Sequence, residues 1–192
     1  MIIAIEGISG SGKSTLINGL MVAGFTRVSE LSDRFDSRKE FPVFTTETTA
    51  VIESDRWFLN QEEQRHSEAK KLGCRVALDR SYQSISSHVF ARARLYNTRD
   101  EDWLQEEITR RLNAGTLLDC PTFWIDVPVS VALKRLAARY YNNIEHMAFL
   151  QMTPEFLTLQ AQYYVEHLDP ANRIDGMQPK GLCLENFIYR LG

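Results

Sequence analysis

The chain has 192 residues, of which 44% are hydrophobic, and its formal net charge is −3. This length suits one domain with a full core, and the charge argues against binding to nucleic acid polymers or to a membrane surface. No apolar run is long enough to cross a bilayer. The sequence starts directly with a predicted apolar strand, so we expect no signal peptide, and its three cysteines are widely spaced. We therefore expect a cytoplasmic protein with reduced thiols.

Strands and helices alternate along the predicted chain. The predicted strands are Ile2–Glu6, 25–29, 74–79, 122–127 and 171–174. The predicted helices are Lys13–Val22, 49–72, 83–96, 101–113, 130–139, one that begins at 153–154, and one that ends near 191. A polar stretch covers 31–46. The alternation predicts a single α/β domain over 1–192, with a mostly parallel five-stranded sheet between two layers of helices.

The segment "GISGSGKST" follows the first strand and has the Gly-x-x-x-x-Gly-Lys-Ser spacing of a phosphate-binding loop. Glycines let the backbone turn its N–H groups inward, and the positive end of the next helix favours an anion. In this motif the lysine contacts the β- and γ-phosphates and the serine hydroxyl binds Mg²⁺. Lys13 is therefore a predicted catalytic residue and Ser14 a predicted metal ligand. The predicted nucleotide-binding residues are Gly7, Ser9, Gly10, Ser11, Gly12, Lys13, Ser14 and Thr15.

A second acidic residue, Asp79, ends the third predicted strand, and Arg80 follows it. Ligands of parallel sheets bind at the carboxyl ends of strands, so we expect both side chains near the phosphate loop. A carboxylate there suits Mg²⁺, directly or through water, and an arginine can bind a phosphate or orient an acceptor oxygen. A helix cap for Asp79 and a surface ion pair for Arg80 are the structural alternatives.

Four segments together resemble the thymidylate kinase and deoxynucleoside kinase group of P-loop kinases. They are "EGISGSGKST", "LDRSYQSISSHVFA", "FWIDVPVSVALKRLAARYYNN" and "MTPEFLTLQAQYYVEHL". The resemblance implies a P-loop NTPase three-layer sandwich with a helical lid at about 139–153. It also implies ATP and Mg²⁺ as cofactors and a small-molecule phosphate acceptor, and many members of the group are homodimers.

The same resemblance implies roles for individual residues. Asp79 would support Mg²⁺, and Arg80 would contact the reacting group of the acceptor. Arg135 and Arg139 lie four apart on one helix face and would neutralise charge on the transferring phosphoryl group. Glu145 would brace the lid, and Gln151 would lie within it. A solvated basic helix face is the structural alternative for the two arginines.

Departures from that group leave the acceptor open. Ser9 stands where thymidylate kinases usually carry an Asp, and "VSELSD" replaces their Arg-Glu-Pro-Gly motif. Glu30 stands where nucleoside kinases have the Glu of a Glu-Pro pair, but Leu31 replaces the Pro. The residues after Arg139 lack the dense arginines of many relatives.

The role of Glu30 separates two chemistries. A hydroxyl acceptor has a very high pKa, so a carboxylate base in the position of Glu30 helps the reaction. A phosphate acceptor is already anionic and needs positive charge instead. Glu30 or Asp33 would then have a binding or structural role. Arg34, Arg38 and Arg80 would be more important, because they carry the positive charge. A solvated acid at a strand end is the structural alternative for Glu30.

The long predicted helix carries candidate contacts to the acceptor, because the relatives line the acceptor pocket with this helix. Trp57 and Phe58 can stack on a planar group, although aromatic residues at helical spacing are also typical of a core. The predicted substrate-binding residues are Glu30, Arg56, Trp57, Gln61 and Arg80.

These features predict ATP-dependent, Mg²⁺-assisted phosphoryl transfer to a nucleoside or a nucleoside monophosphate, similar to thymidylate kinase. One alternative is a kinase of another small hydroxylated metabolite, such as an antibiotic or a sugar alcohol. A second alternative is a non-catalytic, nucleotide-gated switch protein. A switch-type GTPase is disfavoured because the sequence has no Asn-Lys-x-Asp stretch and no Asp-x-x-Gly after the third strand.

Overall fold

The computed structural model describes residues 1–34, 42, 46–139 and 153–191. Five parallel strands of these ranges form one sheet in the order β2-β3-β1-β4-β5. They are β1 (Ile2–Glu6), β2 (Thr26–Val28), β3 (Val76–Asp79), β4 (Thr122–Asp126) and β5 (Arg173–Asp175). The described residues also form seven α-helices: α1 (Lys13–Val22), α2 (Thr48–Leu72), α3 (Tyr82–Tyr96), α4 (Glu101–Asn113), α5 (Val129–Arg139), α6 (Pro154–His167) and α7 (Lys180–Arg190). This architecture confirms the predicted α/β class.

The central strand β1 is apolar along its length because both of its faces are covered. Ile3 and Ile5 belong to a core that includes residues of α1, α5, α6 and α7, whereas Ala4 packs on the other face with Ala69 of α2. A third cluster joins α2, α3 and α4 around Leu59. The two faces of the sheet therefore bury different helices, as the alternation of side chains along a strand requires.

The register of the strands brings the predicted site together at one edge. Ile5 of β1 lies opposite Asp79 of β3, and Val28 of β2 lies opposite Leu78. The loop after β1, the residues after β2 and the residues after β3 therefore leave the sheet side by side, as ligand-binding loops do in parallel sheets.

The boundaries of several elements differ from the prediction by one or two residues. β5 begins at Arg173 rather than 171, because Pro170–Asn172 forms a 3₁₀ turn whose first N–H groups are capped by Asp169. β2 is shorter than predicted, and a further 3₁₀ turn, Leu31–Asp33, opens the polar stretch. β3 begins at Val76 rather than 74.

Some predicted features fall on residues for which no structure is described. The predicted lid, about 139–153, lies outside the described residues except for its two end residues, and Arg38, Glu145 and Gln151 lie outside them as well. Within the described ranges, no helix combines the length and the apolar character needed to cross a membrane.

Candidate functional site

Lys13 folds back over the phosphate loop. Its ammonium donates hydrogen bonds to the carbonyl oxygens of Gly7, at 2.8 Å, and Ile8, at 3.0 Å. Burial lowers the pKa of Lys13 to about 7, and the charge of Arg80 adds to this effect, while nearby carboxylates oppose it. A bound polyphosphate would supply the negative charge that the loop itself lacks, and would stabilise the protonated form of this desolvated amine.

The loop packs directly on α5. Gly10 has a φ of 81°, and a Cβ atom there would lie 2.5 Å from the carbonyl oxygen of Ala132, so only glycine fits. Gly12 begins α1 without a side-chain cap, which leaves the first N–H groups of this helix available to an anion. Ser14 and Thr15, the first residues after Lys13, are exposed on this turn.

Arg135 of α5 connects the phosphate loop to the turn after β5. It donates to the carbonyl oxygen of Ser11 at 2.9 Å and to that of Gly176 at 3.1 Å. Arg139, one helical turn later, is exposed in the last turn of α5. Of the two arginines predicted to face the lid, Arg135 therefore contacts the loop itself, and the role of Arg139 stays a prediction.

Glu30 and Arg80 form an ion pair beside the loop. Arg80 Nε donates to Glu30 Oε2 at 2.7 Å, and its other nitrogens donate to Ser84 Oγ at 3.1 Å and Ser9 Oγ at 3.4 Å. Partial burial alone would raise the pKa of Glu30, but Arg80 and the Ser32 hydroxyl lower it to about 2. Glu30 is therefore ionised at neutral pH, and its carboxylate faces the guanidinium of Arg80.

Asp79 is buried and is paired with Arg27, a residue that was not predicted to belong to the site. Arg27 Nη2 donates to Asp79 Oδ2 at 2.6 Å and also to Asp33. Burial raises the pKa of Asp79, and the charge of Glu30 adds to the rise, whereas Lys13 and Arg27 oppose it. One oxygen of the predicted Mg²⁺ ligand thus already has a cationic partner.

Glu6, the last residue of β1, connects the central strand to two helices. It is fully buried and accepts hydrogen bonds from the N–H of Ser81 at 2.6 Å, the hydroxyls of Ser81 and Ser84 at 2.8 and 2.6 Å, and the Tyr164 hydroxyl at 3.3 Å. Burial raises the pKa of Glu6, although these donors and Arg80 act to lower it. The carboxyl therefore ties the start of the loop to α3 and α6.

The predicted acceptor residues on α2 do not all face the same way. The guanidinium of Arg56 is exposed and lies over the ring of Trp103 on α4, 5.5 Å from its centroid. Trp57 is half-buried and packs edge to face on Phe58 at 5.0 Å, and Gln61 is half-buried. Contact of these residues with an acceptor stays a prediction, and the position of Arg56 against α4 gives it a packing role as well.

The structure therefore brings Lys13, Ser9, Glu30, Asp79 and Arg80 together. Two residues that hold this group in place, Arg27 on β2 and Arg65 on α2, were not predicted from the sequence. Arg65 belongs to a long polar run that is typical of a solvated helix face, so its sequence context carried no signal for a buried position.

The fold is a five-stranded parallel sheet between helices, with a glycine-rich loop after the central strand. Three solved structures of deoxyadenosine kinase from M. mycoides have this fold over the whole chain. The structure with bound dATP has a TM-score of 0.73 and 17% identity, with 100% of this chain and 99% of that chain covered. The structure with bound dCTP has a TM-score of 0.71 and 16% identity, with coverage of 100% and 98%.

The third structure, with the products dCMP and a flexible dCDP bound, has a TM-score of 0.70, 17% identity and coverage of 100% and 98%. No protein-family model and no curated protein matches the sequence. At these identities the similarity establishes the fold, and the activity has to be argued from the site.

Proposed function

We propose that this protein is a kinase that transfers the γ-phosphoryl group of ATP to a hydroxyl group of a nucleoside. The observation that carries the proposal is the ionised Glu30, which is paired with Arg80 beside the buried Lys13 of the phosphate loop. The loop supplies the donor site, and the ion pair supplies a base and a cation for the acceptor oxygen.

The charges at the site favour a hydroxyl acceptor over a phosphate acceptor. A phosphate would be repelled by the ionised Glu30, and the loop residue that faces Arg80 is the neutral Ser9. Arg34, one of the arginines that a phosphate acceptor would require, is engaged by Glu68 at 2.6 Å and by the Ser29 carbonyl oxygen. The similar fold of a deoxyadenosine kinase supports the nucleoside class.

A pKa near 2 is compatible with a base in this reaction. Such a carboxylate takes the proton only when the bond between the acceptor oxygen and phosphorus has begun to form and the hydroxyl has become acidic. Phosphoryl transfer passes through a loose transition state in most analyses, so early deprotonation is not required. Glu30 would therefore orient the hydroxyl first and accept its proton late.

The residues at the site fit a magnesium ion that arrives with the nucleotide. The described residues contain no group of three or more His, Cys, Asp or Glu side chains that could hold a metal, and Mg²⁺ in kinases is bound mainly through phosphates with few protein ligands. Ser14 and Asp79 would be those ligands. When bound, the ion would neutralise charge on the β- and γ-phosphates.

The proposal includes one kinase domain over 1–192, with the segment at about 139–153 as its lid. Arg139 would then stand at the start of this lid, near the phosphate loop that Arg135 already contacts. Closure of a lid would keep water from the γ-phosphate.

The test is a panel of nucleosides, nucleoside monophosphates and other hydroxylated metabolites, each incubated with ATP and Mg²⁺ and examined for a phosphorylated product. We expect transfer to at least one nucleoside and none to the monophosphates. Transfer to a monophosphate alone would show that the acceptor is a phosphate rather than a hydroxyl group. Binding of ATP without transfer to any compound of the panel would contradict the proposed kinase activity. Lys13→Ala should abolish transfer, whereas the exposed Lys71→Ala should not.

A further inference from the structure

Arg65 is an arginine of α2 whose side chain is only 1% exposed and whose donors are all used. Nη1 donates to both carboxylate oxygens of Glu62, at 2.9 and 2.6 Å. Nε donates to the carbonyl oxygen of Ser29 at 2.9 Å. Nη2 donates to the carbonyl oxygens of Asp79, at 2.6 Å, and Arg80, at 3.1 Å. The guanidinium therefore has the fully satisfied geometry that a buried cation requires.

The carbonyl groups that Arg65 binds lie at the ends of two neighbouring strands. Ser29 follows β2 and directly precedes Glu30, whereas Asp79 ends β3 and Arg80 follows it. Past the last hydrogen bond between two parallel strands, a buried backbone carbonyl group needs a hydrogen-bond donor from elsewhere in the protein. One rigid, planar group thus holds both backbone segments from which the Glu30–Arg80 pair projects.

The backbone of Arg80 gives this contact a mechanical role. Its φ of 67° is left-handed, a conformation that is strained for a residue with a Cβ. The strain is held from several sides, because the Arg80 N–H donates to Ile5 at 3.1 Å and the next N–H, of Ser81, donates to Glu6 at 2.6 Å. Arg65 binds the carbonyl oxygens of Asp79 and Arg80, which belong to the same two peptide units as these N–H groups. Both peptide units of the turn are therefore held.

The counter-ion of Arg65 is itself held in place. Burial alone would raise the pKa of Glu62, but Arg65 and His66 lower it. His66 Nδ1 accepts a hydrogen bond from the Leu118 N–H at 2.7 Å, and its Nε2 lies 3.0 Å from Glu62 Oε1. A buried ion pair of this kind contributes little net stability compared with apolar packing, so folding alone gives a weak reason for it.

We propose that Arg65 is a positioning residue that sets the relative placement of Glu30 and Arg80 through their backbones. The inference rests on the proposed kinase function for its effect on rate, but the clamp itself is a property of the structure. Because a misplacement of about 1 Å can cost roughly 100-fold in rate, loss of Arg65 should lower kcat and leave nucleotide binding nearly unchanged.

The experiment compares two variants that both lack the Glu62 carboxylate, so that removal of the guanidinium in the second variant leaves no buried carboxylate unpaired. Glu62→Gln keeps the guanidinium and its carbonyl contacts, whereas Glu62→Gln/Arg65→Gln removes them. We expect kcat of the double variant to be about 100-fold below that of the single variant, with the KM for ATP within about threefold. Equal kcat values for the two variants would overturn the proposed effect on rate.

Hydrogen exchange of the peptide covering 79–84 provides a readout that needs no acceptor. Exchange should be slow in the wild type and in Glu62→Gln, and at least about tenfold faster in the double variant, because a clamped turn opens rarely. Unchanged exchange would show that Arg65 does not hold the turn. If the wild-type protein phosphorylates nothing, the proposed function fails, and the exchange result still decides the positioning role.

Two further variants keep the proposal testable if the Glu62→Gln/Arg65→Gln double variant does not fold. Arg65→Lys keeps the positive charge opposite Glu62 but cannot reach both strand ends with one ammonium group. It should show the same loss of kcat with an unchanged KM for ATP, and a wild-type kcat would contradict the proposal. Arg110→Gln, at an exposed arginine paired with Glu107 on α4, is the matched control and should change neither readout.

Discussion

Arg80 Nε lies 2.7 Å from Glu30 Oε2, although 50 positions separate the two residues in the sequence. The contact exists because β2 and β3 are parallel neighbours that end at the same edge of the sheet. It places a base and a cation within one hydrogen bond of each other beside the phosphate loop, and this arrangement is the basis of the first prediction.

Glu30→Gln tests the chemistry of the acceptor. The amide retains the size of the side chain but removes the base, so kcat should fall by about 10²- to 10⁴-fold for a hydroxyl acceptor. The affinity for ATP, measured by calorimetry, should change by less than about threefold, because the hydrogen bonds of the Glu30 carboxylate go to Arg80 and Ser32. Glu53→Gln, at an exposed position of α2, is the control. A kcat near that of the wild type would exclude Glu30 as the base.

Arg135→Ala tests the connection between the phosphate loop and the turn after β5. The variant loses charge-assisted hydrogen bonds to the carbonyl groups of Ser11 and Gly176, each of which is typically worth about 1.5 kcal/mol or more. The KM for ATP should therefore rise about tenfold, with little change in the KM for the acceptor. Lys134→Ala, at the exposed neighbouring position, should leave both constants unchanged, and equal effects of the two substitutions would refute a specific role for Arg135.

Glu6→Gln tests how much the buried carboxyl contributes to stability. Four donors of Ser81, Ser84 and Tyr164 converge on it, and an amide can accept through one oxygen only. The free energy of unfolding, measured with urea, should fall by about 2–3 kcal/mol. Tyr164→Phe removes the longest of these bonds and a 3.3 Å hydrogen bond with the Ser87 hydroxyl, and should cost about 1 kcal/mol. A larger loss for Tyr164→Phe than for Glu6→Gln would contradict this order.

Asp55→Asn should change the pH dependence of stability. Arg92 pairs with both Asp55 and Asp100, and burial raises the pKa of Asp55 to about 7; Arg92 opposes the rise and Asp100 adds to it. The folded state then binds more protons than the unfolded state, in which an aspartate titrates near about 3.9. This group therefore makes the wild type less stable as pH rises from about 4 to about 7, and the effect is constant at higher pH.

The Asp55→Asn variant lacks this titration, so its stability relative to the wild type should increase by about 1 kcal/mol or more between pH 5 and pH 8. Urea unfolding at several pH values measures the difference. Asp100→Asn is the contrasting variant, because the effect of burial there is outweighed by Thr98 and Arg92, which lower the pKa of Asp100. It should be less stable than the wild type at pH 8. A difference between Asp55→Asn and the wild type that does not vary with pH would contradict the prediction.

The sequence was sufficient for the sheet and for the residues at the ends of its strands. Spacing located Lys13, and the rule that strand ends converge placed Glu30, Asp79 and Arg80 near it. Their positions could be predicted because the side chains follow short apolar strands, whose parallel order is strongly constrained; their roles stay predictions.

The residues that support the site could not be predicted in this way. Arg65 and Arg27 act on a backbone and on a carboxylate that lie far away in the sequence. The polar run around Arg65 has the composition of a solvated helix face, and only the packing of α2 against the ends of β2 and β3 buries it. The start of β5 depended on a turn whose capping contact, from Asp169, is likewise visible only in the fold.

The left-handed backbone of Arg80 has a consequence for the evolution and engineering of this chain. Glycine or asparagine would adopt that conformation at lower cost, yet neither could reach Glu30 as the guanidinium does. Folding and the proposed activity therefore favour different residues at position 80. Selection of variants for thermal tolerance alone would tend to drift away from arginine there, whereas selection that also requires turnover should retain it.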